Sequence, residues 1–144
     1  MKKAIYWAVM LLVSMIGMGV TAAVQASSSP RDMFVETVSP LKYEATVEAL
    51  KAEMAADGWS VLAAHNLAAK LAEKGHSVLP VTIIEGCSGK FSLTLLKNDA
   101  TRYVATMLPC RVAVYETSDG KVIISRMNTH VMGAQMEPAV AEVM

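Results

Sequence analysis

Cysteine is scarce in this chain of 144 residues. There are two, Cys87 and Cys110, and they do not form a Cys-x-x-Cys. A thioredoxin-like oxidoreductase uses two thiols one helical turn apart, so that mechanism is not indicated. Cys-x-x-Cys-His is also missing, which removes covalent c-type haem attachment. There is no Gly-x-Ser-x-Gly elbow, no phosphate-cradling Gly-rich loop and no His-Glu-x-x-His. The chain therefore carries no enzyme signature, and a non-catalytic role is the expectation. An excess of charge is lacking too, since 13 Lys and Arg balance 13 Asp and Glu. Scattered, balanced charge leaves no electrostatic footprint for nucleic acid. Low-complexity tracts and a second linker are absent, which limits the chain to one core and one domain.

What is present begins with a segment that is processed or anchored rather than folded. Lys2 and Lys3 form a positive start, and residues 4–24 carry no charge. Thr21 to Ala26 are mostly small, and Val24 and Ala26 satisfy the small-x-small rule for cleavage before Ser27. The uncharged run is also long enough to span about 30 Å of hydrocarbon as a helix. A cleaved signal peptide is the preferred reading and a retained membrane anchor the alternative. Both carry the rest of the chain across a membrane, to a periplasmic or extracellular location. If the segment is uncleaved, residues 4–24 are the membrane contact. Residues 27–32 read as a tether, and the domain as residues 33–144. Without Lys2 and Lys3 the exported part has 11 basic and 13 acidic residues, a net of −2.

The exported part alternates strand and helix signals. Residues 33–38 are β-prone and Ser39-Pro40 ends them. Tyr43, Val47, Leu50 and Met54 recur at helical spacing on one face, with Gly58 as the stop. Residues 60–65 read as a strand and 67–74 as a short helix or turn before Gly75. Residues 78–85 are β-branched and apolar, a buried strand, and 91–97 and 102–107 look helical. Residues 111–116 and 121–127 flank Thr117-Ser118-Asp119-Gly120, a hairpin signal that puts Val112 and Val114 on the buried face. Residues 128–144 are weakly helical, interrupted by Pro138. This order predicts an α+β fold: a two-layer sandwich of a mainly antiparallel sheet with helices on one face.

At this point the residues resemble a known family. Tyr43 to Lys51, Gly58-Trp59, Glu85-Gly86-Cys87, Leu108-Pro109-Cys110-Arg111-Val112 continuing to Glu116, Gly120 and Met127-Asn128 look like the domain-of-unknown-function family 302. The resemblance covers about residues 33–133, and Leu-Pro-Cys-Arg-Val before a hairpin is its most specific element. The family continues Cys-Asn-Pro where this chain has Cys87-Ser88-Gly89. The resemblance implies a fold similar to the TATA-box-binding protein. Likeness of fold implies no nucleic-acid binding, and the family brings no reaction with it.

The two cysteines then support three readings. A disulfide would close a loop of about 24 residues and stabilise by roughly 3 kcal/mol. Two thiolates suit a soft metal, copper or zinc. A reactive thiol for sulfur redox chemistry would use Arg111 to lower the pKa of Cys110. On parallel neighbouring strands the cysteines would fall at opposite ends. On the antiparallel sheet implied by the resemblance they reach one edge. Strand alternation turns Arg111 away from Cys110, and Glu85 shares the strand face of Cys87. Met127, His130 and Met132 form a second candidate set for a soft metal. His65 and His76 stand alone. The reading adopted is an exported binding protein for a soft metal, a sulfur compound or a protein partner, a second copy included. Cys87 and Cys110 are expected to be paired at or near the site. A thiol redox enzyme or carrier, or an interaction module with a purely structural disulfide, is the alternative.

Overall fold

The backbone path of residues 29–144, the part that the computed structural model describes, is set by five strands and the short helices between them. The expected signal or anchor over residues 1–26 lies outside the described residues. Among the described residues no helix is long and apolar enough to cross a membrane. A 3-10 turn at Pro30–Met33, capped by Ser29, leads into β1 at Phe34–Val38. Asn128 holds this entry in place, donating its backbone N–H to the Met33 carbonyl at 2.8 Å and its side-chain amide to that of Asp32 at 3.0 Å.

Helix α1, Tyr43–Ala56, carries the apolar stripe read from the sequence. Tyr43 and Val47 are buried with Ile84, Val114 and Val122, while Leu50 and Met54 pack against that cluster. The Tyr43 and Thr82 hydroxyls meet at 2.6 Å inside it. That bond offsets the desolvation a buried hydroxyl otherwise suffers. Ile84 and Val114 are fully enclosed, each worth about 1.5–3 kcal/mol of apolar burial. Gly58, at φ +78°, ends the helix as the sequence indicates.

Strands β2 (Ser60–Asn66), β3 (Val81–Cys87), β4 (Cys110–Glu116) and β5 (Val122–Met127) complete one sheet in the order β1-β5-β4-β3-β2. Every neighbouring pair is antiparallel. Along β3, Thr82, Ile84 and Gly86 are buried and the alternate residues are not. These three stand opposite Val114, Val112 and Cys110 of β4. Cys110 thus belongs to the sheet face that α1 covers. β3 starts three residues later than its apolar run suggests, because Pro80 has no N–H to give a ladder; its carbonyl accepts from Glu116 instead.

The β4–β5 hairpin forms where Asp119-Gly120 places it, with Val114 buried. Its loop is one residue longer than the two-residue Asp-Gly hairpin. Gly120 donates back to the Thr117 carbonyl at 2.9 Å and, alone among the residues of this loop, takes positive φ, +79°. This is the three-residue hairpin with a left-handed glycine at its end. Helix α2 (Leu67–Ala72) follows β2, and α3 (Gly89–Leu96) follows β3. A 3-10 helix at Arg102–Met107, α4 (Thr129–Gly133) and α5 (Pro138–Ala141) supply a second core. There Leu95, Val104 and Val140 are buried beneath Met107, Met136, Val143 and Met144. Pro138, expected to interrupt a helix, opens α5 at its first turn, where a missing N–H costs nothing.

Candidate ligand cavity

Between the two cores lies a cavity of about 480 Å³. Met54 and Val112 close it from the α1 side, and Leu95, Val104, Met107, Val143 and Met144 from the side of the second core. Trp59 and Phe91 are both in its lining, with ring centroids 6.2 Å apart. Cys87 and Cys110 both line it, although 23 positions separate them in sequence. The antiparallel β3–β4 pair accounts for that, because it returns the chain to the same edge of the sheet. The lining thus holds two thiols and four thioethers, those of Met54, Met107, Met127 and Met144. A cavity of this size and apolar character fits a small organic ligand.

The register decides what the cysteines can do. Cys110 stands opposite Gly86, one residue short of Cys87. Strand alternation then starts their Cβ atoms on opposite faces of the sheet. Both thiols are free, so the disulfide, one of the three readings of the pair, is not formed. Cys87 lies at the end of β3, where its Sγ is 3.1 Å from the Ser92 hydroxyl of α3. Burial pushes the pKa of Cys110 above the ordinary thiol value, and the charge of a Cys87 thiolate raises it further. Arg111 contributes no opposing effect. It turns to the other sheet face and donates from Nε to Glu85 at 3.2 Å, with His65 Nε2 3.6 Å from the same carboxylate. The activation of Cys110 by Arg111 that adjacency suggests is therefore absent, and Glu85 is spent on Arg111.

Gly86 has a specific reason to be glycine. A Cβ built on it would lie 2.0 Å from the methyl of Met54. The end of Met54 thus fills the space that any side chain between Val61 and Cys110 would need. Of the second soft-metal set, Met127 lines the cavity, while His130 is exposed on α4 and Met132 is not part of the lining. Among the described residues no three His, Cys, Asp or Glu side chains converge on one point. Zinc, which takes three or four such ligands, does not fit these residues. Sequence reasoning did not find Trp59, Phe91, Met107, Arg126 or Met144 as lining residues. Only Met54 left a signal, as the last position of the α1 apolar stripe.

The sequence profile of Domain of unknown function DUF302 matches residues 35–144. Among solved structures, the chain is similar to an uncharacterised conserved DUF302 protein from Bacillus stearothermophilus. The two share 26% identity over 77% of this chain and 86% of the other, with a TM-score of 0.69. No curated protein matches the chain.

Proposed function

The chain belongs to the DUF302 family, a description that assigns no activity, and from that premise we propose a function resting on the cavity itself. The domain is a non-catalytic binding protein. It takes a small, largely apolar ligand with a sulfur-containing or other soft group, held against Cys87 and Cys110. One observation carries the reading: both cysteines and four methionines line a single cavity of about 480 Å³. Thioether and thiol sulfurs are polarisable and make favourable contacts with soft and aromatic groups. Binding is favoured over thiol redox chemistry because burial raises the pKa of the Cys110 thiol, and the thiolate is the nucleophile.

A second reading follows from the same sulfurs. Cu(I) accepts two-coordinate thiolate and thioether ligation without the nitrogen or carboxylate ligands that zinc uses. The cavity exceeds the needs of one ion, which ranks the organic ligand first. Lys2-Lys3 and the uncharged run after them support a setting outside the cytoplasm for this binding.

The test uses 1-octanethiol and, separately, silver ion as a redox-inert substitute for Cu(I). Trp59 fluorescence in a Trp7→Phe background reports from the cavity wall, and alkylation of Cys87 and Cys110 reports thiol access. Octanethiol should alter the fluorescence and protect both thiols. A response to silver alone selects the metal reading. If neither probe changes fluorescence or alkylation, the cavity is not a binding site.

A further inference from the structure

The charge around the cavity is one-sided. Arg111 and Arg126 contribute to its lining, and no Asp, Glu or Lys side chain does. Arg111 is committed to Glu85 on the other sheet face. Arg126 is different. It lies on β5 opposite Val112 and Val35, on the sheet face that carries Val112, Val114 and Cys110. Among the described residues no carboxylate is within ion-pair distance of its guanidinium. The hydrogen bond its side chain makes is a long one, from Nη1 to the Met127 carbonyl at 3.4 Å. The other described arginines, Arg31, Arg102 and Arg111, each hold an acidic partner.

A guanidinium at the rim of an apolar cavity has its fork of donors available to a planar anion. Carboxylate and its analogues accept two parallel N–H bonds from that fork. We infer that the ligand is an amphipathic anion: an apolar body inside the cavity, with a carboxylate or similar oxyanion seated on Arg126 at its rim. This rests on the binding reading above and names the chemical class of the ligand. It also gives the ligand a direction, with the head towards β5 and the tail towards Leu95, Val104 and Trp59.

Three probes with one tail separate the two ideas: octanoate, 1-octanol and octylamine, each titrated against the full chain in the Trp7→Phe background with Trp59 fluorescence as the readout. A charge-assisted contact should make octanoate bind about tenfold tighter than octanol, and octylamine weaker than octanol. Arg126→Gln should bring octanoate down to the octanol affinity while octanol itself is unchanged. That constancy also shows that the variant is folded. Arg126→Lys should restore part of the advantage, since it keeps the charge and loses the fork. If octanol binds and octanoate gains nothing over it, or the gain survives Arg126→Gln, the anion assignment falls and the apolar cavity stands. If none of the three binds, both fall together.

Discussion

Replacing Gly86 with alanine is the most revealing perturbation of the cavity wall. The backbone of Gly86 is ordinary β conformation, so alanine brings no torsional strain there. The added methyl would instead meet the Met54 methyl at 2.0 Å, which no pair of carbons sustains. Met54 is flexible at that end and must swing away. Overpacking of this kind costs about 1–3 kcal/mol, and the lower chain entropy of alanine returns about 0.5–1 kcal/mol. The net loss should fall between about 0 and 2.5 kcal/mol, read as the midpoint in urea. The cause is separable from any other role of Gly86 by a double-mutant cycle. In a Met54→Ala background the obstructing methyl is gone, so Gly86→Ala should be neutral or slightly stabilising. The coupling between the two sites should then equal the overpacking cost itself, about 1–3 kcal/mol. Equal destabilisation in both backgrounds would refute the contact.

Three further outcomes follow from the geometry. Gly120→Val should destabilise by about 1–2 kcal/mol, the cost of a left-handed conformation for a residue with a Cβ. Nothing surrounds that position, so Gly120→Asn should recover most of it, and equal melting temperatures for all three would contradict the turn. Asp119 is held down to about 2, first by Lys121 and then by Thr117. Its contribution is therefore complete above the ordinary aspartate pKa of about 4 and is lost as pH falls towards 2. Melting followed from pH 5 to 2 should decline less steeply for Asp119→Asn than for the parent chain. Cys110 should be alkylated by iodoacetamide more slowly at pH 7 than an exposed cysteine, with a rate that keeps rising beyond pH 9. A fast reaction at pH 7 would mean that burial does not protect it.

The elements were readable where one local rule governed them. The spacing of Tyr43, Val47, Leu50 and Met54 gave the buried face of α1, and Asp119-Gly120 gave the hairpin. The antiparallel return that brings both cysteines to one edge also followed, through the likeness of motifs. The offset that places Cys110 opposite Gly86 could not be read. Register is a property of two strands, and each strand alone is compatible with several. That one residue decides against the disulfide. The cavity was illegible for a related reason. It is a seam between two clusters, and the second is built from short elements such as Arg102–Met107 and Pro138–Ala141. Their burial comes from packing against one another, not from any periodicity of their own. Nothing in the sequence singles out Arg126, whose place in the lining comes from the fold.

The central claim, that a ligand enters the seam between the two cores, is tested most directly by methionine-methyl NMR of the full chain titrated with octanethiol. Met54, Met107, Met127 and Met144 line the cavity, whereas Met33 ends the 3-10 turn before β1 and Met132 lies on α4, outside its lining. The four lining methyls should shift together and saturate at one equivalent, with Met33 and Met132 unmoved. Shifts confined to other methionines, or no saturable shift in the lining four, would contradict the account.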